Sequence, residues 1–325
     1  MYFVTHKKIF FIITGLIMAA MVGAVAIFGL RFGIDFTGGT LLEVNFTSER
    51  PDKIEVEEEL LALDIGGFSL RPTNDQSYLL RTRELSEAER AEVLTALSLG
   101  NSDNLEVERL TTIGPVIGEE LKNKALVALV IVMIVIVLFV AYAFRAPSEP
   151  EEEGVKKKKE PKKFEHGVSS WTYGFVAIIA LFHDVLVPLG LFAILGAVLG
   201  AEVDILFVMA LLAILGYSVN DTIVVMDRVR ENLRSNFDRS IAEDFHITVG
   251  RSLNQTFARS INTSITTLLV LLSLLIWGGE ATRFFSLTLI AGVIAGTYSS
   301  IALASPLLVW FQERKEAKEA QISSA

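Results

Sequence analysis

The sequence predicts an α-helical membrane protein with six transmembrane helices and an α+β, ferredoxin-like domain inserted after the first of them. Three observations carry this. Hydrophobic residues make up 51% of the 325 positions and charged residues only 21%, where soluble chains carry about 25% charged. The apolar excess is gathered into long uncharged runs instead of being spread along the chain. One long polar segment, 31–124, interrupts those runs with stretches of strand and helix periodicity.

A spanning helix needs about 20 largely apolar residues. Six stretches meet or approach that length: Ile9–Leu30, Ala125–Phe144, Thr172–Leu199, Ile205–Met226, Ile261–Trp277 and Phe284–Phe311. The first is too long for a signal peptide and lacks its small-residue cleavage pattern, so it reads as a retained helix. The fifth run is short for a bilayer core, so its helix is expected to begin earlier and to carry Arg259 to the membrane edge or deeper. Pro306, near the end of the sixth, is tolerated where neighbours satisfy the freed backbone groups.

Lys and Arg in the short flanks set the orientation. With the N-terminus inside, the inside segments hold 18 of them and the two short outside loops hold only Arg283. The expected division is therefore 1–30 (N-terminus and first span), 31–124 (extracytoplasmic domain), 125–144 (second span), 145–171 (charged cytoplasmic linker), 172–311 (third to sixth spans, with cytoplasmic loop 227–260) and 312–325 (cytoplasmic tail). The net charge of −9 falls entirely on 31–124, which has 19 acidic and 10 basic residues. That balance argues against a nucleic-acid surface.

Within 31–124 the elements are readable in order. Thr40–Phe46 alternates as a strand. Pro51–Leu63 has helical spacing with Pro in the first turn. Phe68–Arg71 and Tyr78–Thr82 are strand candidates around a Pro-Thr-Asn-Asp turn. Ser86 and Glu89 open a helix as a capping box, and Leu105–Leu110 alternates again. The order β-α-β-β-α-β is the ferredoxin-like arrangement. The linker, by contrast, has three consecutive acids at 151–153, then Lys156–Lys159, and few apolar residues to pack, so disorder is expected. It reads as a solvated segment whose lysines fix topology, or as a binder of anionic lipid or ribosomal RNA.

Ionisable residues inside apolar runs are functional candidates by default. Asp221, beside Asn220 in the fourth span, is the candidate for a carboxylate that takes up and releases a proton; the alternative is an ionised Asp in a permanent ion pair. Arg259 enters the fifth span from the same side, so a pairing with Asp221 is possible. His183 and Asp184 interrupt the third span and could relay protons. As sequence neighbours they are not expected to share a helical face. The Ser/Thr run after Arg259 fits close helix packing or a wet path equally well. With no cysteine and four scattered histidines, no metal site, disulfide or thiol chemistry is written here. Phosphate-loop, H-E-x-x-H and G-x-S-x-G motifs are also missing. The expectation is a non-enzyme without cofactor, drawing energy from an ion gradient or a partner.

Four motifs add a resemblance. Phe32-Gly33-Ile34-Asp35-Phe36-Thr37-Gly38-Gly39 follows the first span, and Ile113-Gly114-Pro115-Val116-Ile117-Gly118-Glu119-Glu120-Leu121 precedes the second. Residues 216–228, from Gly216-Tyr217-Ser218-Val219-Asn220-Asp221-Thr222 to Asp227-Arg228, occupy the fourth, and Ser252–Ile261 opens the fifth. Together with Gly296–Ser300 and the His183-Asp184 pair, they resemble the bacterial protein-export membrane protein family SecF over nearly the whole chain. The resemblance implies half of an RND-type transporter in the bacterial inner membrane. It also implies pairing with SecD, association with SecYEG and often YajC, and export of unfolded polypeptide driven by the proton-motive force. Asp221 and Arg259 match the family positions implicated in proton passage. An RND-type small-molecule or lipid exporter and a passive scaffold remain as alternatives. Gly38, Gly39, Gly114 and Gly118 are expected to form the join between the inserted domain and the membrane, as hinges or as ordinary turns. The apolar strand positions Leu42, Val44 and Phe46 are expected to meet cargo or SecD.

Overall fold

The computed structural model describes residues 2–73, 75–144 and 169–323. The linker expected over 145–171 therefore lies almost wholly outside the described residues. In chain order the elements are α1 (Tyr2–Thr5), α2 (Lys7–Phe28), α3 (Ile34–Thr37), β1 (Gly39–Phe46), α4 (Lys53–Leu61), β2 (Ser69–Pro72), β3 (Ser77–Thr82), α5 (Glu87–Leu97) and β4 (Leu105–Ile113). They continue with α6 (Pro115–Ala143), α7 (Ser170–Val198), α8 (Ile205–Asp238), α9 (Phe245–Trp277), α10 (Glu280–Tyr298), a π-helical turn (Ser299–Ala304) and α11 (Ser305–Ser323). Two compact units result: a helical unit of 1–29, 129–199 and 209–325, and a sheet unit of 30–128 and 200–208.

Six helices are long and apolar enough to cross a membrane, the sixth running from Thr282 to Lys318 through the π-helical turn. The chain is thus a multi-pass membrane protein. The segment expected as a loop, 227–260, is mostly helix. α8 runs on to Asp238 and α9 starts at Phe245, because both extensions carry an apolar stripe and a polar seam. Val229 and Val249 join the apolar cluster, while Asn232 donates to Ser252 Oγ at 2.7 Å and Asn236 to Thr248 Oγ1 at 3.2 Å. Gly292 and Gly296 form a G-x-x-x-G pair on α10 that takes the weight of α8. A Cβ on Gly292 would overlap the side chain of Ile214, and one on Gly296 would lie 2.9 Å from Ser218 Cβ. Small residues allow this approach in membranes, where burial of apolar surface supplies no net drive. The α2 and α6 spans are only 11% and 6% buried, so most of their surface is left for lipid or for another chain.

In the sheet unit, β2-β3-β1-β4 is the strand order and every neighbouring pair is antiparallel. This is the ferredoxin-like sheet. Leu42, Val44 and Phe46 alternate onto one face and meet Leu70, Tyr78 and Leu80 from the sheet, and Val56, Leu60, Val93 and Leu97 from α4 and α5. The three β1 residues are 1%, 0% and 2% exposed. The expectation that they contact cargo or a partner is therefore corrected. They are the apolar half of a two-layer core, and α4 and α5 cover that face. Pro51, expected in the first turn of α4, stands two residues before that helix's first residue, Lys53. Asp52 is the N-cap of α4, its carboxylate accepting from Ile54 N at 2.8 Å.

The expected glycine join has a definite geometry within the sheet unit. α3 ends at Gly38, which has φ 72°, and a Cβ there would lie 2.7 Å from Pro115 Cα. Gly118, one turn into α6, sits on the same spot: a Cβ would lie 2.8 Å from Gly38 N and 3.1 Å from Phe36 C. Gly39, with φ 126°, leaves room for the Thr82 carbonyl. Gly114 faces no such crowding, its nearest neighbour being Glu84 at 3.8 Å. The start of α8 joins the same knot. Gly33 N donates to Val203 O and Val203 N to Arg31 O, at 2.8 and 2.7 Å. Asp35 Oδ2 accepts from Ile205 N at 2.9 Å, and Asp204 Oδ1 from Phe207 N at 2.8 Å. Two carboxylates thus meet the orphan N–H groups at the α8 N-terminus, where the helix dipole favours negative charge. Arg81 from β3 completes the knot, reaching Glu202, Phe32 O and Thr37 Oγ1 at 2.7–2.9 Å.

The expected capping box of α5 forms in full. Ser86 Oγ accepts from Glu89 N, and Glu89 Oε2 accepts from Ser86 N at 2.8 Å. Arg83 also bonds Glu89. That guanidinium first, and the Ser86 N–H and hydroxyl after it, hold the Glu89 carboxyl at about 2 instead of 4.5. The folded value lies below the unfolded one, so the stabilisation is complete above about pH 4.5 and is lost as pH falls toward 2. Glu89→Gln should lower sheet-unit stability near neutrality, converge with wild type as pH falls toward 2, and so flatten the acid limb over that window, as followed by circular dichroism.

Candidate functional site

The polar residues predicted within the membrane converge in the helical unit. α7 buries His183 and Asp184 at 1% and 0% exposure. Four residues later comes Pro188, whose missing N–H leaves the Asp184 carbonyl without its helical donor. Three donors meet the Asp184 carboxylate. His183 Nδ1 is 2.9 Å from Oδ1, Ser299 Oγ donates to Oδ2 at 2.8 Å, and Ser218 Oγ from α8 donates to the same oxygen. The two neighbours therefore share one site, contrary to the expectation from helix periodicity. The His183 ring turns along the helix to reach the carboxylate and lies 5.8 Å from the Tyr298 ring. Tyr298 in turn meets Thr14 of α2 at 3.0 Å. His183 Nε2 is buried and has no hydrogen-bond partner among the described residues.

Asp221 lies on α8 one turn beyond Ser218 and is 7% exposed. Its carboxylate accepts from Ser260 Oγ at 3.0 Å and from Ser300 Oγ at 3.4 Å. Ser260 belongs to a stripe on α9 of Thr248, Ser252, Thr256, Ser260 and Ser264, spaced by four and all buried. Ser252, Thr256 and Ser264 each donate to the carbonyl four residues back, the usual way a helical hydroxyl satisfies itself. Ser260 donates to Asp221 instead. Nearby, Ser264 meets Thr297 at 2.6 Å and Tyr217 at 3.4 Å. Ser300 also borders a void of about 10 Å³ that is lined mostly by apolar side chains, with Thr222 and Ser305 its other hydroxyl residues.

Arg259 does not pair with Asp221. It is exposed, since position 260 faces α8 and its predecessor is rotated by about 100°. It acts on Asp221 only through its charge. Asn220 is exposed as well. Among the described residues no ion pair holds Asp221, so the permanent structural pair that the sequence left open is not formed. A hydroxyl bond in a membrane contributes about 0.6 kcal/mol, against about 2.5–3.5 kcal/mol for inserting a charge. The site therefore holds its carboxylates in place without locking their charge. Sequence reasoning did not single out Ser218, Ser299 and Ser300, and it placed Ser260 only within the Ser/Thr run after Arg259. The four-residue spacing of the α9 stripe is the signal that separates Ser260 from the rest of that run.

The sheet unit contains a cavity of about 500 Å³ whose lining includes Arg31, Arg71, Arg81, Arg83 and Glu202. It is charged, not apolar. Among the described residues, no cluster of His, Asp and Glu has the makings of a metal site.

Comparison with known proteins agrees along the chain. Residues 93–149 and 168–314 match the family described as protein export membrane protein SecD/SecF, C-terminal, and residues 23–49 match the SecD/SecF GG motif, which covers Gly38 and Gly39. The protein translocase subunit SecF of Thermobaculum terrenum is 38% identical over 326 residues, covering 96% of this chain and 94% of that protein. The protein translocase subunit SecDF of Thermus thermophilus is 34% identical over 94% of this chain, which spans only 38% of it. The crystal structure of SecDF from the same genus, described as a translocon-associated membrane protein, superposes with a TM-score of 0.75 at 32% identity. It covers 96% of this chain and 39% of the larger one.

Because Ser260 is the α9 hydroxyl committed to a carboxylate, Ser260→Ala should cost about 0.6–1.7 kcal/mol in mixed-micelle unfolding. Thr266→Ala, at an exposed hydroxyl that bonds its own helix, should cost nothing measurable.

Proposed function

As the chain belongs to the SecF family of protein translocase subunits, we propose that it forms one half of a unit with a SecD-like partner and promotes protein export across the cytoplasmic membrane, driven by the proton-motive force. The observation that carries this is Asp221: a carboxylate deep in an apolar helix, held by two serines, with no ion pair among the described residues to fix its charge. Such a group can load and release a proton as its surroundings change. Asn220 and Arg259 flank the α8–α9 contact on exposed positions, and Asn262, Thr263 and Thr266 of α9 are exposed too. Polar groups facing lipid are costly, so this face supports coverage by a second membrane half, where Arg259 would meet the partner while its charge still acts on Asp221. The SecDF relative, of which this chain matches 38%, has the remaining length in which such a half could stand.

In the proposed orientation both termini are cytoplasmic and the sheet unit extracytoplasmic, following the eighteen-to-one distribution of basic residues. Protonation of Asp221 alters the seating of α8 and α9. α8 and α6 begin in the Gly38–Gly118 knot, so movement of either reaches the sheet. For cargo, the edge strand β4 replaces the buried residues of β1. It is exposed along most of its length and carries Val107 and Leu110 outward. An extended polypeptide can add to such an edge through main-chain bonds with little sequence preference. SecYEG and YajC are the further partners proposed, by family resemblance alone. The charged lining of the sheet-unit cavity offers no support for an exporter of apolar small molecules.

Asp221→Asn keeps size and hydrogen bonding but cannot titrate. It should insert and assemble normally and lose the part of export that depends on the proton gradient in energised vesicles, with Arg259→Ala following it. Gradient-driven export at the wild-type rate would leave only the scaffold reading.

A further inference from the structure

We propose that His183 and Asp184 form a second proton-accepting pair, coupled to Asp221 through Ser299 and Ser300 on the π-helical turn. The proposal rests on Asp221 binding a proton and adds a second site to it.

The first ground is the imidazole. With Nδ1–H donating to Asp184 Oδ1 at 2.9 Å, Nε2 carries a free lone pair, is fully buried and has no partner among the described residues. A proton delivered from water forms an N–H bond there and converts the imidazole to imidazolium. Its positive charge is then matched by the Asp184 carboxylate, so the pair passes from one net negative charge to none. Ser218 and Ser299 hold that carboxylate from two other helical segments, and this fixes the ring in turn.

The second ground is how the two carboxylates are joined. Ser299 bonds Asp184 on α7, and the next residue, Ser300, bonds Asp221 on α8. Each hydroxyl has an alternative acceptor on its own helix: Gly296 O at 3.1 Å for Ser299 and Thr297 O at 3.0 Å for Ser300. When a carboxylate takes up a proton, its serine can turn back to the carbonyl. The segment that carries both serines is able to respond. It is π-helical, a form that occurs mostly as single turns at functional sites. It is bounded by Pro306, which cannot donate to the carbonyl four residues earlier, and Ser305 Oγ ties it off by donating to Ser300 O at 3.0 Å. α8 supplies the other link, since Ser218, the donor to Asp184, lies three residues from Asp221. The titratable and charged groups facing these sites are Tyr298 beside His183, and Arg259 with Tyr217 on the Asp221 side. From α2 the neighbour is Thr14, which does not titrate.

The test follows the His183 ring nitrogens by nitrogen-15 NMR across pH, in the full chain embedded in lipid nanodiscs. The C=O stretch of protonated Asp221 is read in parallel by infrared difference spectroscopy. His183 Nε2 should pass from unprotonated to protonated. Asp221→Asn should move the pH of that step by about one unit, the scale on which two sites titrate as a pair. Ser300→Ala, which removes a hydroxyl that touches Asp221 and not Asp184, should move it in the same way. Ser300→Thr should restore it and thereby exclude misfolding, while Thr266→Ala should leave it alone. A single unchanging state of Nε2, or a step at the same pH in wild type and Asp221→Asn, overturns the second site while the Asp221 band still titrates. Absence of an Asp221 band as well overturns both the second site and the proton role of Asp221.

Discussion

α8 can approach α10 only because Gly292 and Gly296 present no Cβ to Ile214 and Ser218. The arrangement of the helical unit depends on that contact. Ser218 reaches Asp184 from α8 because α8 lies against the glycine face. The π-helical turn that continues α10 comes level with both carboxylates for the same reason. Membranes give helices no net hydrophobic drive toward each other, so close backbone approach and interhelical hydrogen bonds must hold the bundle. Here the two coincide: the glycines bring the helices near and the serines use the proximity. A larger side chain at 296 would separate Ser218 from Asp184 and leave a buried carboxylate short of donors, so packing and polar satisfaction fail together.

The sheet unit follows the same logic with backbone in place of side chains. Gly38 and Gly118 let α3 and the first turn of α6 touch, while Asp35 and Asp204 cap α8 and Arg81 closes the group. Main-chain contacts of this kind have little slack, because no rotamer can absorb a displacement. The core under α4 and α5 is an ordinary two-layer apolar interior, which frees the edge strand β4 for an external role.

Much of this was legible in the sequence where one periodicity dominates. Apolar runs located all six spans, and the alternation of Leu42, Val44 and Phe46 marked β1. The same alternation misled on role, because period two cannot say which face the helices cover. The Ser86–Glu89 spacing identified a helix start because capping chemistry is local. Asp221, Asp184 and His183 stood out since charge is costly in lipid. Their partners did not, because Ser218, Ser260, Ser299 and Ser300 are residues that any membrane helix tolerates. Which hydroxyl meets which carboxylate is decided by helix rotation and by a π-helical turn that leaves no mark of its own in the sequence. Arg259 shows the limit from the other side. Its nearness to Asp221 along the membrane was readable, but its rotation away from α8 was not.

The claim that unites these features is that Asp221 carries protons while the chain works. The most direct measurement is proton flow across vesicles holding the chain with its membrane partners during polypeptide translocation, read by a pH-sensitive dye in the lumen. The account predicts a flow that rises with translocation in wild type and falls to the background of empty vesicles in Asp221→Asn, with the same amount of assembled complex. Equal flow in the two would contradict it.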